Sequence, residues 1–161
     1  MLILGIDPGI VKTGYGLISI KNNTITLIDY GVISPNSKDT ISSRLLSIYS
    51  DVEELINNFK PSIFSIEDVF YAKNFKSAML LGQARAVAIL CAEKYSIPIF
   101  EYSAKKVKQS ITGNGNSSKE QVQYMVKKML KIKNDMMPVD SSDALAIALC
   151  HLNQLKVNEL W

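Results

Sequence analysis

The order of its segments predicts an α/β chain: a mixed five-stranded sheet flanked by helices. Three observations carry this. Two strand-like segments, residues 13–20 and 24–33, are joined at Asn22-Asn23, which is a hairpin signal. Two later apolar runs, 62–67 and 99–102, each follow a long helical pattern, as strands reached by helical crossovers do. The sequence beyond Ser103 then reads as helices alone. A hairpin pair followed by strand–helix–strand crossovers gives a mixed sheet covered by helices. In it the first and fourth strands can lie parallel and adjacent.

The elements follow in order. Met1-Leu-Ile-Leu-Gly-Ile6 leads to Asp7 as a buried strand over 2–7, and Pro8-Gly9 makes a sharp turn. After the hairpin, residues 34–39 form a loop. A helix spans about 40–59, where Ile41, Leu45, Ile48, Val52, Leu55, Ile56 and Phe59 recur every three or four residues. Pro61 stops it, and 62–67 returns as a strand. A connection over 68–76 precedes a helix at about 77–95. Its stretch 78–92 is apolar nearly all round, interrupted by Gln83 and Arg85. Such a helix needs cover on more than one side. The sheet can take one side, and a second subunit or the chain's own last helix another. Pro98 leads into the strand 99–102, and Ser103 suits the N-cap of a helix to about 111. Gly113-Asn-Gly-Asn116 is a loop, and helices span about 118–131 and 140–155.

With 161 residues, 47% of them hydrophobic, the chain suits one domain over 1–161. No run reaches the roughly 18 apolar residues of a membrane span. The first residues enter a strand without the basic region of a signal peptide. Cys91 and Cys150 lie in apolar helical runs without metal-ligand spacing, as buried thiols of a reducing compartment would. A cytoplasmic location with no membrane partner is expected. The net charge is only +3, but eight lysines against the single acid Glu120 give the segment 105–133 a charge of +7, leaving −4 elsewhere. That pattern fits a solvated helical face, or a polyanion-binding surface beside an acidic site.

Four acids stand at the ends of core elements: Asp7, Glu67, and the pair Asp140 and Asp143, which opens the apolar helix 144–150. Burial there costs desolvation unless a cation compensates. Asp140 and Asp143, three residues apart, share a helix face. An oxygen-only set suits magnesium or manganese, whereas zinc calls on His or Cys. Two such ions, about 3.5–4 Å apart, serve phosphodiester cleavage. Plainer roles fit the same residues. Acids after strands are often turn residues, and Asp140-Ser-Ser-Asp143 fits a helix cap with favourable dipole charges. Asp68 competes with Glu67, since alternation puts the two on opposite faces. His151 is eight residues past Asp143, about 12 Å along a helix, and reads as a partly buried helical histidine. Phe70-Tyr-Ala-Lys-Asn-Phe-Lys76 interleaves aromatics with cations, which suits bases and phosphates. Tyr71 and Phe75 fit equally well as anchors of the loop in the core.

Taken together, these residues resemble the RuvC-type Holliday junction resolvases. Gly5-Ile-Asp-Pro-Gly9 followed by Thr13-Gly-Tyr-Gly16 is similar to the family's opening, and Ile66-Glu-Asp-Val-Phe70 with Ala72-Lys-Asn74 to its second acidic motif. Leu81-Gly-Gln-Ala-Arg85, Val107-Lys-Gln109, Gly113-Asn-Gly115 and Lys119-Glu-Gln-Val122 follow in the family's order, and Asp140-Ser-Ser-Asp-Ala-Leu-Ala146 matches its final acidic pair. The one departure is Ser117-Ser118 before Lys119, where the family suggests an alanine-containing stretch.

The resemblance implies a ribonuclease-H-like fold and a homodimer that cleaves two opposed strands of a four-way DNA junction. It implies two Mg2+ ions per site, with Mn2+ a substitute, and 5′-phosphate and 3′-hydroxyl ends. Asp7, Glu67, Asp140 and Asp143 take the catalytic metal-binding roles, which selects Glu67 over Asp68. Lys108 and Lys119 match basic positions near the scissile phosphate, and Phe70 an aromatic at the crossover. Tyr71, Lys73, Lys76 and Lys105 join them as candidate DNA contacts. A branch-migration complex is implied as a partner by resemblance alone. Two other classes share part of this pattern. An actin-like ATPase or kinase lobe shares the Gly-Ile-Asp opening but needs a second lobe and a phosphate loop. A non-catalytic junction-binding protein has no use for four acids facing phosphates.

Overall fold

Strands β1 (Leu2–Asp7), β2 (Thr13–Lys21), β3 (Thr24–Ile33), β4 (Ile63–Asp68) and β5 (Ile99–Ser103) form one sheet in the order β3-β2-β1-β4-β5. The computed structural model describes residues 1–68, 74–133 and 136–158. β1, β2 and β3 are antiparallel neighbours, while β4 runs parallel to both β1 and β5. The hairpin turns on Asn22 and Asn23, with φ of 50° and 59°. Two positive φ values in succession match the right-handed strand twist, and Asn tolerates them better than most side chains.

Helices α1 (Ile41–Phe59) and α2 (Phe75–Lys94) cover one face of the sheet. Helices α3 (Ala104–Thr112), α4 (Lys119–Met129) and α5 (Val139–Asn158) cover the other. Thr40, Asn74, Ser103 and Ser118 N-cap the first four helices through side-chain oxygens that accept backbone N–H groups, and Ser118 forms a full capping box with Gln121. Strand alternation divides the core accordingly. Leu4, Ile6, Phe64 and Ile66 meet α1 and α2. Ile3 and Ile18 meet α5, whose Leu145, Ile147 and Leu149 are buried.

Glycines let α5 settle onto the sheet. A Cβ on Gly5 would overlap the Ala144 carbonyl, and one on Gly14 the Asp140 carbonyl. The backbone of α5 therefore lies against bare strand at both positions, which brings its first turn to the end of the sheet where Asp7 pairs with Gly14.

Several expectations need correction. α2 seats Ala84, Ala88, Cys91 and Ala92 against α1 and the sheet but leaves Phe75, Met79 and Leu90 exposed. The chain's own last helix does not supply its second cover, because α5 lies on the opposite face. Phe75, 80% exposed, is no core anchor. By length and composition α2 is apolar enough to cross a membrane, but its Ala84, Ala88, Cys91 and Ala92 pack in the core, so the expectation of no membrane span is not overturned. α4 ends at Met129, and Lys131 turns left-handed with φ of 54°. His151 is buried, 1% exposed, rather than partly so. The Tyr102 hydroxyl lies 2.7 Å from its Nδ1, and burial lowers its pKa.

Candidate active site

Parallel pairing of β1 with β4 sets Ile6 beside Ile66, so the next residue on each strand, Asp7 and Glu67, leaves the same end of the sheet. Both belong to the face that carries Ile3, Gly5 and Ile63, toward α5. Asp68 takes the opposite face, where Arg85 of α2 pairs with it at 3.7 Å. The fold thus separates the two adjacent acids physically. Glu67 lines the cavity with Asp7, and Asp68 does not.

The cavity has a volume of about 170 Å³. Asp7 and Glu67 form its floor, Asp143, Ala146 and Ile147 of α5 one wall, and Val107, Lys108, Lys119 and Val122 of α3 and α4 the other. Three of the four expected acids line it. Asp140, one turn earlier on α5, has its backbone against Gly14 and is not part of the lining.

The electrostatics are those of crowded, desolvated anions. Burial pushes the Asp7 carboxyl up to about 8, with the charges of Glu67 and Asp143 adding to it. Burial also raises Glu67, while hydrogen bonding with Asp7 and the two lysines act the other way. Lys119 Nζ donates to Asp143 Oδ2 at 2.8 Å, and that bond raises the lysine's own pKa. Among the described residues, no three acids are closed around one point as a finished metal cage. The donor chemistry nevertheless fits a hard divalent cation: carboxylates share one cavity, and their charge is costly without a counterion.

The basic candidates divide by position. Lys108 and Lys119 line the cavity. Lys105 is exposed on α3, its side chain against Gly115, and Lys76 is exposed in the first turn of α2. Phe70, Tyr71 and Lys73 lie outside the described residues. Two features escaped the sequence reading. One is the bare glycine track under α5, for which Gly5 and Gly14 gave only a motif. The other is Arg85, read as an interruption in an apolar helix and as the end of a family motif but given no role, which sits behind Glu67.

The model of the crossover junction endodeoxyribonuclease RuvC family matches residues 3–151. A crossover junction endodeoxyribonuclease RuvC of Ruminiclostridium cellulolyticum is 44% identical over 160 residues, spanning 99% of this chain and 96% of the relative. One from Proteus mirabilis is 48% identical over 155 residues, covering 95% and 88%. Among solved structures, T. thermophilus RuvC in complex with a Holliday junction substrate superposes with a TM-score of 0.91 at 30% identity, covering 98% of this chain and 96% of that one. The yeast mitochondrial Holliday junction resolvase Ydc2 shares the fold with a TM-score of 0.70 at 16% identity, covering 98% and 82%.

Proposed function

The chain belongs to the RuvC family of crossover junction endodeoxyribonucleases, and we propose that the cavity between β1, β4 and α5 is the site where it cleaves DNA. It is a metal-dependent endonuclease that resolves Holliday junctions in recombination and repair. The observation that carries the site assignment is the meeting of Asp7, Glu67 and Asp143 with Lys108 and Lys119 in one cavity.

In this reading Asp7, Glu67 and Asp143 hold magnesium, with Asp140 completing the set from one turn earlier on α5. Two ions per site, with manganese as a substitute, are part of the proposal. Bound there, the metal supplies Lewis acidity to activate water and stabilise the leaving oxygen. The protein supplies the rest. Burial keeps the carboxylates poised for a cation, because each is costly alone. Lys108 and Lys119 project from the wall opposite Asp143 and attract the scissile phosphate. With the phosphate between the walls, Lys119 exchanges a carboxylate partner for a phosphate one. The products carry a 5′-phosphate and a 3′-hydroxyl.

The wider DNA path would run over Lys105 and over the segment bearing Phe70, Tyr71, Lys73 and Lys76. Phe70 would stack on bases at the crossover. A homodimer matches the two-fold symmetry of the junction. The exposed Phe75, Met79 and Leu90 of α2 offer the apolar surface that a second copy would cover. A cytoplasmic location, a single domain over 1–161 and association with a branch-migration complex complete the proposal.

The decisive experiment is cleavage of a synthetic four-way junction by the purified protein, with and without magnesium, beside Asp7→Asn and Glu67→Gln. Paired nicks in opposed strands that need metal and both acids are expected. Metal-independent cleavage, or full activity in both variants, would place the chemistry elsewhere.

A further inference from the structure

Glu67 stands where β4 loses half of its sheet. Pairing with β1 ends at Ile66, whereas pairing with β5 continues through Asp68. From Glu67 onward the strand therefore has a neighbour on one side only. A backbone carbonyl left without a strand partner at such an edge needs another donor if it is shielded from water.

Arg85 provides that donor from the opposite face. It lies on α2, and its side chain is 19% exposed. Its Nε donates to the Glu67 carbonyl at 3.1 Å. Its terminal nitrogen pairs with Asp68 on β4 and with Glu101 on β5. Ile66 faces Glu101 in the β4–β5 register, and Asp68 faces Ser103, so one guanidinium spans the ends of both strands. Only arginine presents several N–H donors in a fixed planar fork, and lysine would lose part of this set. The cavity's acids lie on the far side of the sheet, and the charges that chiefly reach Glu67 are those of Asp143, Lys119 and Lys108.

We propose that Arg85 is a positioning residue for Glu67: it fixes the last residues of β4 from behind, so that the Glu67 carboxylate is held beside Asp7 for the metal. The inference rests on the proposed metal role of Glu67. Groups that orient a metal ligand without touching the metal typically alter metal affinity or activity about 10–100-fold when lost. Asp68 and Glu101 gain a role from the same geometry, because they aim the guanidinium at the Glu67 carbonyl.

The test compares wild type with Arg85→Lys, Arg85→Met and Glu101→Gln. Ala88→Gly serves as a control that weakens α2 without touching the clamp. Two magnesium titrations are read on each protein: the shift in melting temperature without DNA, and the midpoint for junction cleavage well below melting. Junction binding without metal is the third measurement. Arg85→Met is expected to raise both magnesium midpoints about tenfold or more. Arg85→Lys should fall between it and wild type, Ala88→Gly should lower melting without moving either midpoint, and metal-free binding should persist throughout. Unchanged midpoints in Arg85→Met, or an equal rise in Ala88→Gly, would overturn the proposal. Should neither Arg85 variant fold, Glu101→Gln decides: a raised midpoint supports the clamp and an unchanged one refutes it. A wild-type melt insensitive to magnesium would instead refute the metal site on which the inference rests.

Discussion

Lys119 Nζ lies 2.8 Å from Asp143 Oδ2, spanning the cavity from α4 to α5. The lysine side chain is 66% exposed and the aspartate 20%, so the cation reaches inward from the rim. The cavity thus carries a counterion of its own, bonded to one acid, and its charge only partly offsets the crowding of Asp7 and Glu67 on the floor. A phosphate entering the cavity would compete for Lys119, and a metal would compete for Asp143. Substrate and metal could then enter together, each taking one partner of the pair.

Removing the cation tests this exchange. Lys119→Met should lower junction cleavage about tenfold or more and make the salt dependence of binding shallower by about one counterion. Without DNA, the same variant should gain more melting temperature from magnesium than wild type does, since its acids have lost a competing partner. Lys21→Ala, in the hairpin far from the cavity, should leave all three measurements near wild type. Equal losses in both variants would mark the effect as diffuse charge.

The acids make a sharper set. Asp7→Asn, Glu67→Gln and Asp143→Asn each remove a ligand charge at constant size, and each should abolish most cleavage while junction binding persists. Asp140→Asn separates two roles. As a ligand it should behave like the other three. As a first-turn acid that only complements the α5 dipole, it should cost about 0.3–1 kcal/mol of stability and leave cleavage intact. We expect the ligand pattern, read from single-turnover cleavage beside a binding assay.

Gly14→Ala addresses the seat of α5. The new methyl would overlap the Asp140 carbonyl, which is helix backbone and yields poorly. Overpacking of this kind costs about 1–3 kcal/mol, and here the first turn of α5 must move away from β2. Melting temperature and cleavage should fall together. A variant with wild-type melting and activity would show that α5 adjusts freely.

How much of this was legible in the sequence follows from the range of each interaction. Strand ends and the hairpin depend on neighbours in the chain, so the apolar run into Asp7 and the Asn22-Asn23 turn located them. The choice between Glu67 and Asp68 depends on which helices cover which face, and residue pattern alone left it open. The burial of His151 reflects Tyr102 and Phe100 of β5, about fifty residues away in sequence. Arg85 looked like a break in an apolar helix because its partners, Asp68 and Glu101, belong to two strands. Gly5 and Gly14 were visible as motif letters, but their reason is the backbone of a helix more than a hundred residues later.

The last prediction concerns pH. The Asp7 carboxyl titrates near 8 in the fold, and Glu67 is also raised, whereas both would ionise near pH 4 in the unfolded chain. Between those limits the folded state holds more protons than the unfolded one, so stability falls as pH rises through the window. The metal-free protein should therefore melt at a higher temperature at about pH 5 than at about pH 9, apart from the drift contributed by other groups. Magnesium binds the ionised carboxylates of the folded state, so its stabilising shift should grow over the same range. Asp7→Asn removes the principal proton site. Its metal-free melting temperature should exceed that of wild type at about pH 9, with a shallower pH dependence and a smaller magnesium shift. Thermal melts of both proteins across this range, with and without magnesium at fixed ionic strength, measure all of these. A wild-type pH dependence that Asp7→Asn leaves untouched would mean that Asp7 carries no strain in the fold.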